Sequence, residues 1–591
     1  MRGPSLYQLY LAYGSAISIT PAAVANPISG AASMRFELTL TPLLDSSGNL
    51  SALAVFQRLT NYAFAQDEDV LSLLVDLGGV DMGYVRAGGP TVSDDEGAVE
   101  LSDRFETSVL SRIRVWKTLR DTSGDIEISY TALPRPVSAA TRTGPSLDFR
   151  LDQGGLIGSG MGFLALPPDR DGDGISATVT LDLSGSQSGF SAVWTYGDGD
   201  ENVSMEGKNV FSRIANTFWA IGPVKCLVAP KSSPELKEFN MYWFGEPPFD
   251  PYELGSRLNI VFGEMRAFFR DTGDTYRIFL RHNPFPGSLT GTALHRSFMH
   301  GYDDSERHFP PSLQDREGVL AHEMIHNWVT IDDGSSSENW YSEGLADYYE
   351  VLLRYRLSLL SPREYVDAVN QKLVKYYTSP AVTWSWDTLQ NATWKVSHAQ
   401  EMPYARGFAM GLKLNGLLRD ASGDAVSLDD IVGTLVDKLQ QGKRHGLREY
   451  LDLLTKIFGA EEFSKALVED MKAGKLQIPQ ENSLDPLPFA IRLVSLPLET
   501  FELGFAENSL LAGDMIEGLV EGSRAELAGL RNGDRVHMLF GSAYHKAKQN
   551  LEATLKLTVK RDGTAPFMVE FWPRSRERAN AYMFVEVKDE L

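Results

Sequence analysis

His322, Glu323 and His326 form a His-Glu-x-x-His pattern in the run AHEMIHNW at 321–328. Positions four apart share one face of an α-helix, so the two imidazoles can be presented to a single metal ion. Glu323 sits one step round the helix, where it can hold and deprotonate a water at that metal. A hydrolytic zinc site uses three protein ligands and keeps one position open. The third ligand is expected from Trp340-Tyr341-Ser342-Glu343-Gly344-Leu345-Ala346-Asp347-Tyr348-Tyr349. Glu343 is the candidate. Asp347, one turn later on the same face, could accept the free ring N–H of a zinc histidine. One Zn2+ per chain and metal-assisted hydrolysis follow from this set. A surface helix with satisfied histidines is the plain alternative, but it leaves Glu343 and Asp347 unexplained on an otherwise apolar, aromatic run.

Two helices must position these groups. Val319, Leu320, Ile325 and Val329 surround the histidines with helical apolar spacing, and Asp332–Asn339, rich in Gly, Ser and acid, reads as the turn before the second helix. A chain of 591 residues is too long for one core and predicts several domains. Its 43% hydrophobic and 23% charged residues are those of a soluble globular protein, and its net charge of -22 argues against nucleic acid and anionic membrane as partners. The single cysteine, Cys226, excludes an internal disulfide and a thiolate metal cluster. Residues 1–33 read as an N-terminal tail or a weak signal peptide, with Ala23-Val24-Ala25 as its possible cleavage site, and the chain ends on Lys588-Asp589-Glu590-Leu591, an ER-retention address. Such an address is read only in the secretory pathway, and the diluted apolar run near the N-terminus favours a cytoplasmic protein over that alternative.

Residues 34–232 alternate as strands do, at Met34–Thr41, Asp125–Tyr130, Thr178–Leu183 and Ala192–Tyr196, and predict an antiparallel β-sandwich. Asp169-Arg170-Asp171-Gly172-Asp173-Gly174 imitates the start of a calcium loop, but Thr180 stands where the closing acid belongs, so a hairpin turn is expected. Residues 235–480 change character: a helix over Pro251–Phe269, a strand at Tyr276–Leu280, an irregular stretch over Gly287–Tyr302, the zinc helices, and then a mostly helical run. Residues 488–591 return to strands. Gly513–Val520, Gly522–Leu530 and Asn532–Val536 give the strand, short helix and Gly-Asp turn of a PDZ-like domain. Leu503, Gly504 and Phe505 resemble the loop whose backbone N–H groups cradle a peptide carboxylate, so a C-terminal peptide is a candidate partner.

The order of these parts, with His322–Trp328, Trp340–Tyr349 and Pro403-Tyr404-Ala405-Arg406-Gly407, resembles the glycyl aminopeptidase family of gluzincin zinc metallopeptidases. The resemblance implies a multidomain α+β fold: a β domain, a thermolysin-like and mostly helical zinc peptidase domain, and a PDZ domain. It implies an aminopeptidase with a peptide substrate, with Tyr404, at the head of a helix, as the phenol that stabilises the oxyanion. Gly291, Thr292 and Ala293 fall at the family's substrate-binding Gly-Gly-x-Glu-His stretch. There the chain departs: Leu294 stands where the family's glutamate binds the substrate amine. The missing anchor leaves open supply of the acid by Asp303 or Asp304, and an endopeptidase or other zinc hydrolase. A separate alternative, a PDZ peptide-binding scaffold with a vestigial zinc site, is disfavoured because His322, Glu323, His326, Glu343 and Tyr404 are all present.

Overall fold

The computed structural model describes residues 34–587, except 86–88, 109–110, 142–143, 171–173, 199–201, 229–238, 272, 274, 286, 309, 332–337, 394, 444, 511–514 and 539–540. The N-terminal tail, the C-terminal Lys-Asp-Glu-Leu and the middle of the calcium-like loop therefore lie outside the described residues. The described residues form two compact units, one within Arg2–Phe262 and Thr272–Met324, the other within Gly263–Asp271 and Ile325–Leu591.

The first unit is dominated by sheets. In β1 (Met34–Leu44), Phe36, Leu38 and Leu40 are fully buried while Arg35 and Glu37 face out, the two-residue alternation of a half-buried strand. β1 pairs antiparallel with β2 (Leu50–Thr60), which pairs antiparallel with β3 (Ile126–Leu133). On its other side β1 pairs with β4 (Ile175–Leu181) in parallel. This corrects the expectation of a purely antiparallel sandwich. A long connection separates β1 from β4, and only connections of that length return a strand in the same direction. The calcium-like run has a structural use at its first acid: Asp169 accepts the N–H groups of Phe211 and Ser212 at 3.1 and 2.9 Å, at the start of α1 (Val210–Ala215).

The same unit contains α2 (Pro251–Phe268) as far as Phe262, and a five-stranded sheet in the order Lys225–Cys226, β5 (Phe239–Trp243), β6 (Tyr276–Asn283), β8 (Ser297–Asp303), β7 (Thr290–Leu294). β5, β6 and β8 run parallel, and β7 is the antiparallel edge. The stretch Gly287–Tyr302, expected to be irregular, is thus largely a hairpin. Its turn is His295-Arg296, with Arg296 at φ 53°, a left-handed conformation that no Gly or Asn announces.

The second unit is mostly helical. The end of α3 (Leu313–Ile325) leads into α4 (Asn339–Arg356), α5 (Pro362–Tyr377), α6 (Trp386–Ala392), α7 (Ser397–Ser422), α8 (Leu428–Gln440), α9 (Leu447–Phe458) and α10 (Glu461–Lys472). α4 is buried at every position from Asn339 to Arg354, as a helix at the centre of a bundle must be. α5 starts on a capping box of Ser361 and Glu364 with Pro362 at its first position. The C-terminal part contains the ribbon of β9 (Ile491–Phe501) and β10 (Arg574–Glu586), the sheet Arg535–Met538, Leu555–Lys560, Phe567–Phe571, and the helices α11 (Arg524–Leu527) and α12 (Gly541–Gln549). The strand expected over Gly513–Val520 is absent from its described part: Met515 makes a single bridge to Arg535 and the chain then turns through Gly518 at φ 62°. Among the described residues, no helix is long and apolar enough to cross a membrane.

Candidate metal centre

Leu320, Ala321, Met324 and Ile325 are fully buried and hold the histidine-bearing end of α3 in place. The helix closes at Ile325, but the Val329 N–H still donates to Ile325 O at 2.9 Å, so the turn carrying His326 keeps helical pitch. His322 and His326 therefore stay on one face. α4 supplies Glu343, 1% exposed. The ligand atoms of His322, His326 and Glu343 all lie within 4.8 Å of one another. His326 Nε2 is 3.4 Å from Glu343 Oε2. Two donors each about 2.0–2.1 Å from a shared tetrahedral centre stand about 3.3–3.4 Å apart, so this separation suits one zinc ion. Two imidazoles and a carboxylate are also the nitrogen–oxygen set that catalytic zinc takes, and a carboxylate this buried requires a positive partner. The residues present fit the metal.

Asp347 has a partner that sequence reasoning missed. Lys372 Nζ, from α5, donates to Asp347 Oδ1 at 2.7 Å and lies 3.8 Å from Glu350 Oε2. Burial works against the Lys372 charge, but Asp347 and Glu350 outweigh it and hold its pKa above the ordinary value. The carboxylate one turn beyond Glu343 is thus tied to a cation on a neighbouring helix.

Tyr404 is half-buried on α7. The Pro403 before it lies inside the helix, not at its head as expected, because α7 begins at Ser397. The helix that carries Tyr404 meets the helix that carries Glu343 backbone to backbone. A Cβ on Gly407 would lie 2.8 Å from Gly344 Cα, and a Cβ on Gly344 would lie 2.3 Å from Gly407 Cα. Only glycine at both positions allows this crossing.

The residues expected to bind substrate lie on β7, the edge of the five-stranded sheet. Gly291, Thr292 and Ala293 pair with His300, Met299 and Phe298. Thr292 is buried and its Oγ1 accepts the Ser146 N–H at 2.7 Å. Leu294 packs into an apolar cluster with Phe244, Phe279 and Met299. The acids considered in place of the missing glutamate are engaged elsewhere. Asp303 accepts from Gly287 N at 2.6 Å and from Ser305 N at 2.9 Å, and Asp304 lies 3.3 Å from His282 Nε2 and 3.5 Å from Arg307 Nε. In the C-terminal part, Leu503 and Phe505 point into the core and Gly504 takes φ 84° between them.

A model of the M61 glycyl aminopeptidase family matches residues 330–408, a stretch that holds Glu343, Asp347 and Tyr404 and begins beyond the two histidines. The structure is similar to that of an aminopeptidase N family protein from Idiomarina loihiensis, with 12% identity and a TM-score of 0.63 over 94% of this chain and 98% of that one. It is also similar to an M1 zinc metallopeptidase from Deinococcus radiodurans, with 17% identity and a TM-score of 0.42 over 78% of this chain and 96% of that one. No curated protein matches. The likeness over nearly the whole chain establishes a multidomain α+β fold of the aminopeptidase N kind. Fold, His/Glu cluster and family match together define the class, a zinc aminopeptidase-like metallopeptidase. Within that class, the family whose model it matches is that of the M61 glycyl aminopeptidases.

Proposed function

We propose that the chain hydrolyses peptides as an aminopeptidase of the glycyl aminopeptidase type, with His322, His326 and Glu343 holding one zinc ion. The observation that carries this reading is the convergence of their three ligand atoms within 4.8 Å, two from a His-Glu-x-x-His helix and one from a buried helix. Zinc, when bound, polarises the scissile carbonyl and makes water acidic enough to attack near neutral pH. Glu323, beside His322, takes the proton of the attacking water and passes it to the leaving amine. Tyr404 donates its hydroxyl to the oxyanion. Asp347, held by Lys372, secures the turn of α4 that follows Glu343. β7, as an edge strand, offers backbone at Gly291–Ala293 to an extended peptide. Purified protein assayed on glycyl and alanyl anilides, with and without chelator, tests the reading. Glu323→Gln should keep the metal and lose about 10²–10⁴-fold in rate. Near-full activity in that variant, or hydrolysis that a chelator leaves untouched, sinks the mechanism.

The packing of Leu294 favours a second reading of specificity. With an apolar core side chain where the family anchors the amine, the same chemistry serves an endopeptidase. Cleavage of N-blocked peptides only, with the anilides untouched, selects it. The C-terminal part is read as a PDZ-like module, supported by the left-handed Gly504 between two core side chains. Titration with peptides ending in a free carboxylate tests whether that loop binds them.

A further inference from the structure

The C-terminal module reaches the helix that carries Tyr404 with one buried side chain. Lys548, on α12, is 5% exposed. Its Nζ donates to Ser397 Oγ at 2.6 Å and to Glu401 Oε1 at 3.0 Å. Ser397 is the first residue of α7, and Glu401 lies three residues before Tyr404. His545 Nδ1, also on α12, lies 3.2 Å from the same Glu401 oxygen, and Lys375 Nζ lies 3.5 Å from its other one. The rings of Phe501 and Tyr544 cover the Lys548 ammonium, with centroids 5.7 and 4.3 Å away. A polar head so enclosed is costly to leave without acceptors, so these bonds fix α12 to α7 with little slack.

The first turns of α7 need an external grip. Val396 at the N-cap supplies no capping side chain, and the Ser397 N–H is accepted instead by Glu507 Oε2 of the C-terminal module at 3.1 Å. Six residues in, Pro403 has no N–H to give to Ala399 O, so the helix loses a bond between its first turns and the turn that carries Tyr404. The direction of that segment is then set by what holds it from outside. The module also holds the end of α5: the Phe501 N–H donates to Thr378 O at 2.9 Å and Arg574 Nη1 to Thr378 Oγ1 at 3.0 Å.

We propose that the C-terminal module positions Tyr404, with Lys548 acting through Ser397 and Glu401 to set the direction of the first turns of α7. Lys548 touches no reacting atom; it is a positioning residue. The inference rests on the role given to Tyr404 above. In the full chain, Lys548→Met keeps the stem against Phe501 and removes the ammonium. Expected are a kcat lowered about 10- to 100-fold, a KM within about two-fold, unchanged zinc content, and recovery of most of the rate in Lys548→Arg. In a Tyr404→Phe background, Lys548→Met should cost nothing further. Unchanged kcat in Lys548→Met, or full additivity with Tyr404→Phe, overturns the proposal. If Tyr404→Phe alone leaves kcat intact, the role of Tyr404 has failed, and amide exchange decides the brace by itself. Faster exchange over residues 397–408 with residues 339–356 unchanged upholds it, and unchanged exchange overturns it. Should Lys548→Met not fold, Glu401→Gln breaks the same pair from the other side and goes through the same measurements.

Discussion

Gly407→Ala tests the helix crossing on which the reading of the site depends. The added Cβ would lie 2.0 Å from Trp340 O and 2.8 Å from Gly344 Cα, where ordinary contact begins at 3.4 Å. Both neighbours are backbone, so no side-chain rotation relieves the clash, and α4 and α7 must part by about 1.4 Å along the line to Trp340 O. Overpacking of this kind costs about 1–3 kcal/mol, against about 0.5–1 kcal/mol gained from alanine's better helix propensity. The net loss of stability is therefore about 0–2.5 kcal/mol, too small to unfold a chain of this size. The functional cost is larger. Gly344 adjoins Glu343 and Gly407 is one turn beyond Tyr404, so parting these helices separates Glu343 from Tyr404, the proposed third ligand from the proposed oxyanion donor. A displacement near 1 Å costs about 10²-fold in rate, equivalent to about 2.7 kcal/mol of barrier. Gly411→Ala is the internal control. It lies one turn on along the same helix, and its Cβ would meet first the end of a side chain, Leu345 Cδ2 at 3.0 Å, which can give way. Steady-state kinetics on an alanyl anilide, with zinc content and thermal midpoint measured on the same samples, should show a drop of about 10²-fold for Gly407→Ala and less than about two-fold for Gly411→Ala. A Gly407→Ala enzyme with wild-type kcat, or two variants that lose rate equally, refutes the argument.

Two further outcomes concern charge. Burial works against the ionised form of Glu401, yet Lys375, Lys548 and His545 outweigh it and hold its pKa well below the ordinary 4.5. A carboxyl depressed on folding contributes stability that is present above about pH 4.5 and is lost as pH falls through the folded value. The thermal midpoint should thus fall more steeply below about pH 4.5 in the wild type than in Glu401→Gln, and parallel curves would count against the pairing. Asp148 is buried among three guanidiniums: it accepts from Arg281 Nη1 at 2.8 Å and lies 3.4 Å from Arg135 Nη1 and 4.0 Å from Arg150 Nη1. Asp148→Asn removes the carboxylate that all three share and should lower the unfolding free energy by about 3–5 kcal/mol in urea titration, whereas a loss under about 1 kcal/mol would mean that the cluster is solvated.

What could be read from the sequence alone was whatever depends on neighbours along the chain. His322 and His326 share a face because four residues separate them, and Glu343 stands out because an acid on an apolar, aromatic helix needs a reason. The mostly helical run beyond Glu343 could be read from apolar periodicity, and α5 and α9 are two of its helices. The contacts that set the site's geometry join residues far apart, and their local signals point the other way. A glycine inside a helical pattern reads as a weakness of about 1 kcal/mol. At Gly344 and Gly407 the two weaknesses are one crossing, visible only when α4 and α7 are laid against each other. Lys372, Lys548 and Glu401 read singly as solvated charges, since nothing in a run of sequence tells a lysine which carboxylate lies beside it. The β7–β8 hairpin was missed because Arg296 takes the left-handed turn that Asn or Gly would have announced. Proline is disfavoured inside helices, so in the sequence Pro403 suits a helix start. Its actual place, six residues in, removes a backbone bond just before Tyr404 and makes the contacts of Lys548 and Glu507 with α7 more than surface docking. The local irregularity and the long-range brace explain each other: a helix intact at its start would not need the module, and a module without that helix would have nothing to orient.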